Sequence, residues 1–110
     1  MNKEIEEKLN EYNKDVKDLF LKIRKIIYET NLQINESIWA SLPSFYYEKK
    51  FIRIIPFKNY VNIEAKSISE YRKELIDYKI TPKGMLRLEI NQEVPSDLLK
   101  VIFKKSLTEW

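Results

Sequence analysis

Ser44-Phe45-Tyr46-Tyr47-Glu48-Lys49-Lys50-Phe51-Ile52-Arg53-Ile54-Ile55-Pro56-Phe57-Lys58-Asn59-Tyr60-Val61-Asn62-Ile63-Glu64-Ala65 is a run of aromatic and β-branched residues broken twice by polar pairs. Such side chains pack well on a pleated surface, and the polar pairs between them mark turns. Ser44 to Tyr47 and Lys50 to Phe57 therefore predict a hairpin turning through Glu48-Lys49. Tyr60 to Ala65 predicts the next strand, reached through Lys58-Asn59. Alternation between Lys50 and Ile55 is imperfect, which suits a central strand covered mostly on both faces. Upstream, Ile34 to Trp39 predicts a first strand after the polar break at Thr30-Asn31. Pro43 has no N–H to donate and belongs at a bend or a sheet edge. Downstream, Thr81-Pro82-Lys83-Gly84 introduces a last strand, Met85 to Ile90. Gly84, the chain's only glycine, fits a turn position with positive φ.

Helices flank this meander. Ile5, Leu9, Tyr12, Val16, Leu19, Ile23 and Ile26 recur in steps of four and three, one narrow apolar stripe at about 100° per residue. The stripe fits either one continuous helix or two helices, the second capped by Asn13 with Val16 opening its apolar face. A coiled coil needs more heptads with leucine at regular core positions. Ser67-Ile68-Ser69-Glu70 has capping-box spacing and predicts a short helix from Ile68 to about Leu75. Pro95 opens a C-terminal helix that buries Leu98, Leu99, Ile102, Phe103 and Leu107. The expectation is a two-layer α+β fold: an antiparallel sheet of about five strands, with the N- and C-terminal helices packed together on one face.

At 110 residues, positions 1–110 make one domain, able to bury about 65% of its unfolded surface without metals or disulfides. Hydrophobic content of 44% argues against disorder. The chain has neither cysteine nor histidine, which removes Ser-His-Asp and Cys-His catalysis, thiol redox chemistry and zinc held by imidazole or thiolate. A metal would have to be held by oxygen ligands. The opening Met1-Asn2-Lys3-Glu4-Ile5-Glu6-Glu7-Lys8 lacks the apolar segment of a signal peptide, so the expected location is cytoplasmic, with no membrane partner. Net charge is +3, but residues 1–30 carry seven bases and seven acids, residues 31–66 five and three, and residues 67–110 eight and seven. A nucleic-acid binder concentrates its bases on one face or arm, so this mixture argues against nucleic acid.

Two constellations carry candidate chemistry. On a continuous helix Glu4, Glu7, Glu11, Asp15 and Asp18 would form one acidic stripe about 120° from the apolar one. Carboxylates at this spacing can share a hard cation, which points to weak surface binding of iron or another divalent metal. The plainer reading is a solvated face, since Lys8, Lys14, Lys22 and Lys25 stand at pairing distance from Glu4, Glu11, Asp18 and Glu29. The second constellation is Lys58, Lys83 and Arg87 with Trp39, Phe45 and Tyr46. Bases beside aromatics can make an anion pocket; the plainer reading is strand-end charges lying over a core. Lys83-Gly84 is no P-loop, which needs further glycines. Trp110 is expected to be a packing plug or a loose end.

Trp39, Pro43, an aromatic at Tyr46, the Phe57-Lys58 pair, and Lys83-Gly84 followed by Arg87 resemble, in that order, the pattern of the small YdhG-like family of frataxin-like iron chaperones. The likeness extends from about Asn10 to Leu107. The chain departs at Asn59-Tyr60, where a Lys-His pair is usual, and at Pro82, where a serine is usual. The resemblance implies a non-enzymatic protein that binds iron weakly through carboxylates and transfers it to an iron–sulfur assembly partner. The acidic helical stripe is similar in kind to the ridge of frataxins. The alternative is a binding module for a small anionic ligand or a protein segment, held over the sheet by Trp39, Tyr46, Lys58, Lys83 and Arg87.

Overall fold

A computed structural model describes residues 1–109; Trp110 lies outside them. Two helices come first, α1 (Lys3–Leu9) and α2 (Lys14–Tyr28). The strands β1 (Asn35–Trp39), β2 (Leu42–Tyr47), β3 (Lys50–Pro56) and β4 (Tyr60–Glu64) follow as a meander. A 3-10 turn (Lys66–Tyr71), β5 (Lys79–Ile80), β6 (Leu86–Glu89) and α3 (Ser96–Thr108) complete the chain. The sheet is antiparallel throughout, in the order β1-β2-β3-β4-β6-β5. Helices α2 and α3 pack on each other and on the same sheet face, while α1 packs on β1.

The N-terminal stripe is two helices because Asn13 is better satisfied as a cap than as a helix interior residue. Its backbone is extended (φ −70°, ψ 167°), and its Oδ1 accepts from the Val16 N–H at 3.0 Å. Its Nδ2 donates to the Lys58 carbonyl at 3.0 Å and ties the start of α2 to the β3–β4 turn. Asn2 caps α1 in the same manner, accepting from the Ile5 N–H at 3.1 Å. The apolar stripe survives the break: Ile5, Leu9, Val16, Leu19, Ile23 and Ile26 are all buried.

Parity divides the sheet cleanly. Phe45, Ile52, Ile54, Val61, Ile63, Leu86 and Leu88 face the helices and are buried with Phe20, Leu99, Ile102 and Phe103. Phe20 and Phe45 meet at 6.3 Å with tilted rings, which suits the quadrupoles of both. Each of these aromatic anchors would cost about 3–5 kcal/mol to truncate to alanine. The alternate residues face away, on a side that no helix covers.

Three expectations change. The sheet has six strands, not five, because Lys79–Ile80 adds an edge too short to show any period. Strand β2 begins at Leu42, with Pro43 paired to Ile38 of β1 but lying before the first β2–β3 pair, Ser44↔Arg53. Its missing N–H thus falls where the second ladder is absent. The predicted helix from Ile68 to Leu75 is instead a 3-10 turn with no side-chain cap. Ser67 is buried and donates its N–H to Ser106 Oγ on α3 at 3.0 Å, while Glu70 pairs with Lys105 at 2.8 Å. Ser106 thus takes the Ser67 N–H that Glu70 would have capped, and Glu70 turns to Lys105 and the Ser67 side chain. Gly84 has φ 88°, as its turn position requires.

Candidate functional site

The uncovered sheet face is built in rows. Cross-strand pairs set Ser44 beside Arg53 and Arg53 beside Glu64. Arg53 is only 7% exposed although it carries a full charge, and its surroundings explain how. Nε donates to Ser44 Oγ at 3.0 Å, one Nη to Glu64 at 3.2 Å and the other to the Tyr46 hydroxyl at 3.5 Å. The guanidinium also lies 4.4 Å from the Trp39 ring centre and 3.9 Å from that of Phe51. This is a cation paired with a carboxylate, each of its three nitrogens bonded, laid on aromatic faces. Sequence reasoning passed over it because alternation in β3 was read as coverage on both faces. The signal was present: arginine in the middle of an apolar strand requires an acceptor and a carboxylate on the neighbouring strands.

The next row behaves differently. Ile55 pairs with Asn62, and Asn62 with Arg87. Leu42 lies just beyond the end of the β2–β3 ladder, pairs with Trp39 of β1, and lines the same groove as Ile55. Leu42, Ile55, Asn62 and Arg87 line a groove of about 480 Å³, walled by Phe57, Met85 and the Thr81-Pro82-Lys83 turn. That turn is rigid: the Gly84 N–H donates to the Thr81 carbonyl and the Thr81 N–H to the Met85 carbonyl, both at 2.8 Å. Arg87 is positioned by Nε donating to Asn62 Oδ1 at 3.1 Å and by stacking 4.0 Å from the Tyr60 ring centre. Tyr60 in turn stacks on Phe57 with centroids 4.8 Å apart. Among the described residues neither Arg87 nor Lys83 has a carboxylate within ion-pair distance. No buried side-chain nitrogen or oxygen among them lacks a partner, so the two unbonded Nη atoms of Arg87 are open to solvent. A fixed guanidinium with its fork free, beside an unpaired lysine in a concavity, suits a carboxylate or phosphate oxygen pair.

Of the five expected ligand-binding residues, Lys83 and Arg87 share this groove. Trp39 and Tyr46 lie on the same face, gathered around Arg53, with Trp39 55% exposed at the end of the Leu42 row. Phe45 points the other way, into the helix-covered core. Lys58 sits in the exposed β3–β4 turn and contributes its carbonyl to Asn13; it does not line the groove.

The acidic residues divide at the helix break. Glu4, Glu7 and Glu11 border a shallow depression with Ile38 and Ser41, whereas Asp15 and Asp18 border another with Lys22 and Gln92. Asp18 pairs with Lys14 at 2.6 Å, and that hydrogen bond holds the Lys14 amine above its ordinary value. Among the described residues no three acidic side chains form a set able to hold a metal ion.

Two other features are structural in character. Glu36 on β1 is buried between Arg24 and Tyr28 of α2, accepting from both and from the Asn2 N–H at 3.2 Å. Burial would raise its pKa, but hydrogen bonds from Arg24, Tyr28 and Asn2 outweigh that and hold it below the ordinary carboxylate value. Tyr28 is pushed up to about 12, by burial first and then by the bond to the Glu36 carboxylate. A larger concavity of about 610 Å³ lies between the end of α2 and α3. Two of its three lysines are engaged, Lys104 with the Thr30 carbonyl at 3.0 Å and Lys105 with Glu70, and Glu29 and Glu109 line it with Lys100 and oppose an anion there.

Comparison with protein-family models, with curated proteins and with solved structures finds no match for this chain. No helix among the described residues is long and apolar enough to cross a membrane.

Proposed function

We propose that this domain is a non-enzymatic binding module that captures an anionic ligand on the uncovered face of its sheet, between Lys83 and Arg87. One observation carries the reading: Arg87 is held in place by Asn62 and Tyr60 while its terminal nitrogens stay free and uncompensated at the groove. Groove residues include no carboxylate, imidazole or thiol to move a proton, which favours binding over catalysis. Iron delivery to an iron–sulfur assembly partner in the cytoplasm is what the YdhG-like resemblance implies, and it rests on that resemblance. The division of Glu4, Glu7 and Glu11 from Asp15 and Asp18 favours the anion reading over it.

The test is NMR titration with inorganic phosphate and with acetate at low ionic strength. Perturbations should centre on Asn62, Lys83 and Arg87. Arg87→Met should weaken binding about tenfold or more, since a charge-assisted hydrogen bond is worth about 1.5–3 kcal/mol. Unchanged anion binding in that variant would refute the assignment. Ferrous iron titrated in parallel, with shifts sought at Glu7 and Glu11, separates the two readings.

A further inference from the structure

Resting on the anion reading, the structure assigns a chemical class to the ligand: we infer that the groove takes an amphipathic anion, a single carboxylate or phosphate head with a compact apolar tail. The argument is the polarity gradient along one row. From β6 to β2 it runs Arg87, Asn62, Ile55, Leu42, cationic at one end and aliphatic at the other. Four adjacent strands at about 4.8 Å spacing give the row a length of about 14 Å. Phe57 and Met85 wall it, and Trp39, paired with Leu42, prolongs the apolar end while remaining largely exposed.

An inorganic ion would engage Arg87 and Lys83 alone and leave Ile55, Leu42 and Phe57 facing water. A tail lying along the row covers them. The parallel row cannot substitute, because Arg53 already has Ser44, Glu64 and Tyr46 as partners. A polyanion stretched along the row is disfavoured as well, since the cations, Arg87 with its cross-strand partner Lys79 and with Lys83, all stand at its β6 end and none lies past Asn62. Carboxylate and phosphate heads share the chemistry that Arg87 reads: two oxygens in a plane, matched to a planar fork. A neutral amphiphile lacks it.

Calorimetry with octanoate, octyl phosphate, acetate and octanol, on the whole chain, tests the assignment. Each buried methylene should multiply affinity by about fourfold, so octanoate should bind at least tenfold more tightly than acetate. Octyl phosphate against octanoate identifies the preferred head. Leu42→Ser and Ile55→Ser should weaken octanoate severalfold more than acetate, and Arg87→Lys should weaken both. Equal affinities for acetate and octanoate would overturn the amphipathic assignment and leave the anion site standing. Octanol binding as tightly as octanoate, or octanoate binding that ignores both Arg87→Lys and Arg87→Met, would overturn the anion site together with the class. Thermal melts of each variant check that the fold is retained.

Discussion

At the scale of single residues, one tightly held charge is Glu36, its side chain mostly enclosed where α1, α2 and β1 meet. Its lowered pKa and the raised pKa of Tyr28 each contribute to the pH dependence of stability. A depressed carboxylate contributes stability that is present above its unfolded value of about 4.3 and is lost as pH falls through its lower folded value. A raised tyrosine contributes stability that is full below its unfolded value of about 10 and is lost as pH rises toward about 12. Glu36→Gln should cost about 3 kcal/mol in urea unfolding at pH 7, because Arg24 loses its counter-charge in a partly buried place. It should also flatten the acid limb. A variant with an unaltered acid limb would show that other carboxylates set it. Arg53 is the other residue of this kind, and the two arginines of the open face differ only in their neighbours. Glu64 stands within reach of Arg53, and no carboxylate stands within reach of Arg87.

At the scale of elements, the break between α1 and α2 rests on one amide side chain used at both ends. Asn13→Asp keeps the oxygen that caps Val16 and loses the donor to Lys58; Asn13→Ala loses both. The alanine variant should be less stable by about 1 kcal/mol, and the aspartate variant should keep most of that difference. Equal losses in the two would place the effect in the link to the β3–β4 turn. Element types were legible in the sequence wherever a period lasted long enough: β3, β4 and α3 fall within a residue or two of their expected ends, and α2 starts at the Asn13 cap that one of two readings placed there. What was not legible depended on partners distant in sequence. Ser67 and Glu70 satisfy a local rule, but Ser106 and Lys105 on α3 hold them instead. Strand β5 exists only because β6 offers it an edge.

At the scale of the whole molecule, the two-layer arrangement followed from one-sided stripes that had to be buried: Leu19, Ile23, Leu99 and Phe103 share one core. The candidate site was legible in residue type and only partly in place. Lys83 and Arg87 meet in a groove, yet its floor of Leu42, Ile55 and Asn62 comes from the register of four strands, which no single stretch of sequence encodes. The placement of α1 has a kinetic consequence. This seven-residue helix lies on β1, an outer strand, and Asn2 and Glu36 bind the two to each other. Segments at the border of a sheet open before its centre does. Here α1 and β1 share the Asn2–Glu36 contact, while β1 is also paired to β2 and tied by Glu36 to Arg24 and Tyr28 of α2. Amide protons of residues 5–10 and of β1 should therefore exchange with deuterium together, at a common rate well above those of β3 and α3. The sheet's β1 border would thus come away carrying its own helix with it, exposing β2 and its Leu42 as a temporary new edge while Arg87 on β6, three strands further in, keeps its place.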